Sequence, residues 1–154
     1  CCIVPEKREE ITTEGGIDVK RNHNIIAPLI DRLKKNNIRV SLFVDASNDQ
    51  IELSQKVGAD IVEIHSGEFC RKAHDELDYE NELNKIKDSV SFAQSIGLEP
   101  HIGHGITFKS IVELSKIRGV KEFNIGHFII GESIFIGLEE SIKTFKSLIK
   151  EGRK

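Results

Sequence analysis

Short apolar runs alternate with helical patterns along the whole of this 154-residue chain. Between the runs, apolar side chains recur every three or four positions, the spacing of a helix with one buried face. The runs have the length of buried strands and cover residues 1–4, 38–45, 61–65, 98–103 and 123–125. Strands that alternate with helices predict βα units around a parallel sheet. The predicted fold class is therefore α/β, with five βα units.

Five helical stripes accompany these strands. They cover residues 25–33, 51–58, 83–93, 111–115 and 138–149, and the stripe at 51–58 is the weakest. The segment that follows the third strand has no such stripe, so Cys70 is predicted to lie in a polar loop. The acidic residues 75–82 are interpreted as the solvated first turns of the next helix, where negative charge complements the helix dipole.

Two architectures are compatible with five βα units. A doubly wound open sheet could be complete at this length, whereas a (β/α)8 barrel has about 250 residues and would leave this chain about three units short. The chain starts at Cys1, inside a predicted strand and without an initiator Met, and we interpret this start as a sign of truncation. No low-complexity linker divides the sequence, so residues 1–154 are treated as a single domain.

The charge balance and cysteine usage narrow the class of protein. The 22 Lys and Arg residues are outnumbered by 25 Asp and Glu, for a net charge of −3, so no basic excess is present to neutralise nucleic-acid phosphates. No apolar run approaches the roughly 20 residues needed to cross a bilayer, so no membrane partner is predicted. Three cysteines outside any CxxC motif are expected to be reduced thiols of a cytoplasmic protein.

Polar residues mark the ends of the predicted second and third strands. Glu63 and His65 are two apart, so they share one face of the third strand. A buried carboxylate and imidazole are costly unless paired, and this end of a parallel sheet is where α/β proteins place their sites. A functional acid–base pair is the favoured interpretation, and a structural hydrogen-bonded pair is the alternative. Asp45 ends the second strand and either caps the next helix or binds substrate.

His104 lies between two glycines in the turn that follows the fourth strand, Gly103-His104-Gly105. Glycine allows unusual backbone angles and close approach, and an imidazole held there suits acid–base chemistry near neutral pH. A turn histidine that only reaches solvent is the alternative. His101 and His104 are three apart and are expected on opposite faces of the strand, so no metal site is predicted.

Two loops have features of anion-binding sites. Gly126 and His127 follow the fifth strand and precede a helical stretch, and a helix N-terminus offers free N–H groups and a positive dipole end. In barrels the loops after the last two strands commonly bind phosphate. The long loop at residues 5–16 contains Lys7 and Arg8, which could attract a phosphorylated substrate, although a solvated charged loop is the alternative.

Six short segments occur in a specific order. They are Val-Pro-Glu-Lys-Arg at residues 4–8, Thr-Thr-Glu-Gly-Gly at 12–16, Ser-Leu-Phe at 41–43, Glu-Ile-His-Ser-Gly at 63–67, Gly-His-Gly at 103–105 and Asn-Ile-Gly-His at 124–127. Together they resemble the pyridoxine 5′-phosphate synthase family, the ring-closing enzymes of the deoxyxylulose-dependent vitamin B6 pathway. One such motif would be weak, whereas six at matching spacings over essentially the whole chain are specific.

The resemblance implies a (β/α)8 TIM barrel, of which this chain is the later part and lacks about the first three βα units. It implies a homo-oligomer, expected to be an octamer, in the cytoplasm. It also implies the condensation and ring closure of 1-deoxy-D-xylulose 5-phosphate with 3-amino-2-oxopropyl phosphate. The products are pyridoxine 5′-phosphate, inorganic phosphate and water, and the family uses no metal or organic cofactor.

The resemblance also implies roles for individual residues. His104 matches the family's proton donor, and Glu63 matches the carboxylate that stabilises the transition state. The substrate-binding positions are Gly105, Gly126 and His127 for 3-amino-2-oxopropyl phosphate, and Thr12, or its neighbour Thr13, for the deoxyxylulose phosphate. The family's general base histidine, a second catalytic glutamate and several phosphate contacts fall in the absent strands. The chain alone is therefore expected to lack complete chemistry.

Two alternatives remain open. The chain could come from another phosphate-binding barrel enzyme, an aldolase or an isomerase; a Schiff-base aldolase needs a lysine inside a strand, and the predicted strands contain none. The chain could also be a catalytically incomplete fragment that acts only in binding or assembly. The exposed edges of an unclosed sheet would then need a partner.

Overall fold

The computed structural model describes residues 1–5 and 15–154, which form five strands and seven helices. The strands are β1 (Cys2–Ile3), β2 (Ser41–Val44), β3 (Ile61–His65), β4 (Glu99–Gly103) and β5 (Glu122–Asn124). The helices are α1 (Val19–Lys34), α2 (Asn48–Lys56), α3 (Gly67–His74), α4 (Glu80–Ser95), α5 (Phe108–Ser115), α6 (His127–Ile136) and α7 (Leu138–Gly152). The predicted alternation of strands and helices is confirmed.

The strand order distinguishes the two candidate architectures. Neighbouring strands all pair in parallel, and the spatial order β1-β2-β3-β4-β5 is also the order along the chain. A doubly wound sheet reverses direction at a switch point, so its first strand lies inside the sheet. A barrel instead adds each strand beside the previous one. The described sheet therefore has barrel topology, and the predicted α/β class with five βα units is confirmed.

One face of the sheet is apolar and is covered by helices. Leu42, Val44, Val62, Ile64 and Ile102 lie at alternate positions along β2, β3 and β4, and all five have no exposed surface. They pack against the buried faces of the helices in two hydrophobic clusters. Burial of each such side chain contributes about 1.5–3 kcal/mol relative to exposure, so this outer layer supplies most of the core and fixes the strand register.

The other face of the sheet is polar and lines the inner, concave side. Phe43 is in register with Glu63, Glu63 with His101, and His101 with Glu122. Residues in register point to the same side of a sheet, so these side chains form one row across four strands. This face corresponds to the interior of a barrel. Its polar character places ionisable groups where the candidate site is built.

The segment that follows β3 is helical, and the prediction of a polar loop around Cys70 was wrong. α3 buries Phe69, Cys70 and Ala73 against the core, and the spacing of these three residues marks one helix face. The eight-residue α3 was not recognised because its apolar residues stand among Glu68, Arg71, Lys72 and His74. α4 begins at Glu80, so the acidic residues 75–78 precede that helix instead of forming its first turn.

The C-terminal apolar stretch forms two helices that are separated by Gly137. That residue has a φ of +84°, a left-handed conformation that glycine adopts at no steric cost. Before this break, α6 leaves several apolar side chains uncovered, and Ile134 and Phe135 are 79% and 83% exposed. None of the helices in the described part of the chain is long and apolar enough to cross a membrane.

Candidate active site

A cleft of about 700 Å³ opens at the carboxyl ends of β3, β4 and β5. Five of the residues predicted from the sequence line it: Glu63, His104, Gly105, Gly126 and His127. They come from three successive βα units, so the fold brings together groups that are up to 64 residues apart in sequence (63 to 127). Thr12 and Thr13, like Lys7 and Arg8, lie outside the described residues.

Glu63 is a half-buried carboxylate whose position is fixed by its neighbours. Its Oε2 accepts a hydrogen bond from the Asn124 side-chain amide at 2.6 Å and one from the Cys2 thiol at 3.5 Å. Burial raises the pKa of Glu63 above its usual value, and these two hydrogen bonds oppose the shift. A side chain at Gly103 would collide with the Glu63 carboxylate. The glycine that begins the Gly-His-Gly turn therefore leaves room for this acid.

His104 is held in a left-handed backbone conformation. Its φ is +72°, and that of Gly105 is +76°. Such an angle is uncommon for a residue with a side chain and stores strain, a feature that concentrates at functional sites. Two consecutive left-handed residues turn the chain sharply after β4, so the imidazole of His104 faces the cleft and no longer follows the alternation of the strand.

Ser66 stabilises this turn from the neighbouring unit. Its hydroxyl lies 2.9 Å from the carbonyl oxygen of Gly103 and 2.8 Å from that of His104, and its backbone N–H donates to Gly103 O at 3.0 Å. Ser66 is almost completely buried, so water does not compete with these bonds. Ser66, which follows β3, thus holds the turn that follows β4. No local sequence pattern predicts this contact.

The pKa of His104 is lowered from its usual value. Burial is the largest cause, and the neighbouring charges of His65 and His127 act in the same direction. An imidazolium with a lowered pKa is a stronger acid, and its neutral form is the main species near pH 7. A group with such a pKa can accept a proton and return it in a later step.

Asp45 does not cap the helix that follows it, so that alternative was wrong. Ser47 occupies the N-cap position of α2. The Asp45 Oδ1 instead accepts a hydrogen bond from Gly16 N–H at 2.8 Å and lies 3.5 Å from His65 Nδ1. The hydrogen bond with His65 is the largest cause of the lowered pKa of Asp45. The Asp45 carboxylate thus joins Gly16 to the polar face of β3.

The end of β5 leads directly into a helix N-terminus at the cleft. Gly126 is the N-cap of α6, which begins at His127, and no side chain caps the free N–H groups. A Cβ on Gly126 would meet no atom within 4 Å, so the space in front of these donors is open. This arrangement suits a phosphate or another anion.

Asn124, Phe43 and Cys2 contribute to the site but were not predicted. Asn124 and Phe43 line the cleft, and Asn124 and Cys2 hydrogen-bond to Glu63. Asn124 is in register with Gly103 on the inner face. A signal was present, because a polar residue that ends the strand next but one to a half-buried carboxylate can reach it across the inner face. Cross-strand register was needed to recognise that signal.

The strand order and the placement of these groups define a class: a barrel-type α/β protein with an acid–base site at the carboxyl ends of its strands. The chain matches, over residues 1–151, the family described as pyridoxal phosphate biosynthesis protein PdxJ. The match covers nearly the whole chain, so the protein belongs to this family.

Curated relatives agree with the family match. Pyridoxine 5′-phosphate synthase of Roseobacter denitrificans is 45% identical over 155 residues, which cover 99% of this chain and 62% of the relative. The synthases of a Bradyrhizobium species and a Sulfurihydrogenibium species are each 43% identical; each match covers 99% of this chain and 60% and 62% of the relatives, respectively. The chain thus spans about 60% of the length of these relatives.

Proposed function

We propose that this chain supplies the His104 and Glu63 part of a pyridoxine 5′-phosphate synthase active site. The reaction joins 1-deoxy-D-xylulose 5-phosphate to 3-amino-2-oxopropyl phosphate and yields pyridoxine 5′-phosphate, inorganic phosphate and water. One observation carries the proposal: an imidazole, a half-buried carboxylate and an uncapped helix N-terminus share one cleft in a chain of the PdxJ family.

His104 acts as the proton donor in this proposal. Ring closure removes water several times, and each hydroxide leaves more easily when it is protonated in the transition state. The lowered pKa of His104 makes its imidazolium an effective donor. The same pKa lets the neutral ring recover a proton between steps, so one residue can serve more than one dehydration.

Glu63 stabilises positive charge in this proposal. Condensation of an amine with a ketone passes through an iminium-like species, and a fixed carboxylate in a poorly hydrated site favours that charge. Asn124 holds Glu63 Oε2, so the carboxylate is oriented before substrate arrives. This orientation lowers the reorganisation that the reaction requires.

The substrate phosphates are assigned to the loops. We assign the phosphate of 3-amino-2-oxopropyl phosphate to Gly105, Gly126 and His127, because free N–H groups and an imidazole meet there. Thr12, outside the described residues, is assigned to the deoxyxylulose phosphate from the family resemblance. The proposal includes a cytoplasmic homo-oligomer, expected to be an octamer, and chemistry without a metal or organic cofactor. The remaining catalytic groups come from the part of the relatives that this chain does not span.

A coupled assay tests the proposal. The full-length protein is incubated with both substrates, and pyridoxine 5′-phosphate and inorganic phosphate are measured separately. We expect equimolar formation of the two products. Phosphate release without pyridoxine 5′-phosphate would indicate another reaction on the same substrates, and absence of both products from a folded, full-length protein would contradict the proposal.

A further inference from the structure

The roles proposed for His104 and Glu63 do not account for His65, a histidine on the inner face of β3. Its Nε2 is buried and has no hydrogen-bond partner among residues 1–5 and 15–154. An unsatisfied buried polar atom costs about 1–3 kcal/mol, so proteins rarely retain one without a use. This atom lies beside the candidate active site, where such a use is available.

The Asp45 carboxylate determines which nitrogen of His65 carries the proton. Asp45 Oδ1 lies 3.5 Å from Nδ1, and an ionised carboxylate only accepts hydrogen bonds. The neutral ring is therefore protonated at Nδ1, and Nε2 carries a lone pair. The partner missing from Nε2 is consequently a donor.

Packing places the His65 ring against the His104 ring. The two imidazole rings have centroids 4.9 Å apart and an interplanar angle of 46°. A Cβ on Gly67 would come within 2.7 Å of His65 Nε2 and 3.0 Å of His104 Cδ2, so the absence of a side chain there lets the rings approach. Phe43 packs edge-on against His65, with centroids 5.3 Å apart.

His65 also faces a second cavity of about 510 Å³, which shares His104 and Gly105 with the cleft and reaches Gly15. Gly16, the next residue, donates its N–H to the same Asp45 oxygen that faces His65. One carboxylate therefore connects Gly16 with the ring that packs on His104.

We propose that His65 is the positioning residue for His104: Asp45 fixes its tautomer, and its ring holds the His104 imidazole in its reactive orientation. This inference rests on the proposed function, because the reactive orientation is that of the proton donor. His65 does not itself need to touch substrate.

Several charged and titratable groups surround His104 and contribute to the pH dependence measured for it. His65 faces it from β3, His127 from α6 and Glu63 across the cleft. On α3, Glu68, Arg71 and His74 line the second cavity with it. The charges of His65 and His127 lower the pKa of His104, so a neutral polar residue in place of His65 should raise it.

The test compares three variants of the full-length protein. His65→Phe keeps a ring but removes both nitrogens, His65→Gln removes the charge, and Asp45→Asn keeps an acceptor for Gly16 N–H while it removes the charge that fixes the tautomer. We expect kcat to fall about 10- to 100-fold in each variant, the range for a misplaced catalytic group, with KM changed much less. His23→Phe, on the exposed surface of α1, is the matched control and should match the wild type.

A second measurement does not depend on catalysis. With 13Cε1-labelled histidine, the NMR signal of His104 should shift in His65→Phe, and its titration midpoint should rise in His65→Gln. An unchanged His104 signal and an unchanged kcat in the His65 variants would overturn the inference, even if the wild type makes pyridoxine 5′-phosphate. An inactive wild type would instead contradict the proposed function, and the NMR signals would still show whether His65 orients His104. If a His65 variant fails to fold, Asp45→Asn decides by the same two measurements.

Discussion

The inner face of the sheet carries a group of histidine and carboxylate side chains at each end, and the two groups differ in how fully they are paired. At the carboxyl ends of the strands the members are Asp45, Glu63, His65 and His104. At the amino ends they are Glu99, His101 and Glu122, with Arg39 beside them. The same residue types thus occur toward both ends of one surface, and the two groups meet at Glu63 and His101, which are in register on β3 and β4.

The group at the amino ends is fully paired. His101 Nε2 lies 2.8 Å from a Glu99 oxygen, and Arg39 donates to the other Glu99 oxygen at 2.9 Å. His101 Nδ1 lies 3.7 Å from Glu122. Both ring nitrogens of the buried His101 face a carboxylate oxygen, with Nε2 at hydrogen-bond distance, so a substrate would gain little by binding there.

The group at the carboxyl ends keeps unsatisfied and strained members. His65 Nε2 lacks a partner among the described residues, His104 has a left-handed backbone and Glu63 is half-buried with a raised pKa. An open cleft lies in front of Glu63 and His104. The difference teaches that residue type alone does not identify a site: chemistry is expected where polar groups remain available and strain is maintained, which in barrels is the carboxyl end of the strands.

Among the substitutions considered, His104→Ala should have the largest effect on kcat. Loss of a positioned proton donor should lower kcat about 10²- to 10⁴-fold. Because His104 is strained and only partly buried, the free energy of unfolding should change little. Product formation by the full-length variant and urea denaturation provide the two measurements, and His23→Ala is the surface control. Retention of wild-type kcat would remove His104 from the proton-donor role.

Glu63→Gln should have the next largest effect. The variant loses the negative charge that favours an iminium-like intermediate, and we expect kcat to fall about 100-fold or more. The glutamine carbonyl can still accept the hydrogen bond from Asn124, so the local structure should be kept. A variant with normal kcat would show that the charge of Glu63 is not used.

The pH dependence of stability checks the state of Glu63 independently. Its pKa is raised in the folded protein, so the folded state binds more protons than the unfolded state between the two pKa values. Stability therefore falls as the pH rises through that window. The Gln variant should lack this decline when urea denaturation is repeated from pH 4 to 8, and a matching decline in both proteins would contradict the assignment.

The glycines of the site allow a finer comparison within the group at the carboxyl ends. Gly105 has a φ of +76°, and a Cβ there would lie 3.2 Å from Cys70 Cβ and from Gly67 Cα. Gly105→Ala should therefore cost about 1–2 kcal/mol in the free energy of unfolding and lower kcat by displacing His104. Gly126→Ala is the matched control, because its φ is −112° and its Cβ would meet no atom within 4 Å. Equal destabilisation by the two changes would contradict this account of the turn.

Local sequence patterns predicted the elements and the inner face better than they predicted contacts. Period-two alternation placed Glu63 and His65 on one face of β3, and the glycines marked the turn at His104. The Ser66 contact with that turn, the hydrogen bond from Asn124 to Glu63 and the Asp45–His65 pair all join different βα units. Such contacts depend on strand register, which a single sequence does not specify residue by residue.

The helices also differ in how well the sequence predicted them. α1, α4 and α7 carry repeating apolar stripes and were recognised, whereas the eight-residue α3 was not. The sequence did not indicate that Cys70 is buried. Its thiol contacts the Ser66 hydroxyl, and its side chain packs in a core shared with a neighbouring unit, which only the three-dimensional structure shows. Short elements are determined by the surface on which they pack more than by their own pattern.

A substitution in the paired group, Glu99→Gln, should have the smallest effect on activity. The hydrogen bond with His101 is the largest cause of the lowered pKa of Glu99, followed by that with Arg39. A carboxylate with a lowered folded-state pKa contributes stability that is present above its unfolded value and is lost as the pH falls through the folded value. Glu99→Gln should therefore flatten the acid limb of the stability curve between pH 5 and 2. It should cost less than about 1 kcal/mol at neutral pH, because the pair is partly solvent-exposed.

The kcat of the Glu99→Gln variant distinguishes a structural from a catalytic role for the group at the amino ends of the strands. Glu99 lies at the opposite end of the strands from the cleft, so kcat should stay within about twofold of the wild type, well under the effect of removing a catalytic group. Urea denaturation across that pH range, together with the product assay at neutral pH, separates the two contributions. A large loss of kcat with an unchanged acid limb would show that the paired group takes part in the chemistry, and the division of the inner face into a structural end and a reactive end would then fail.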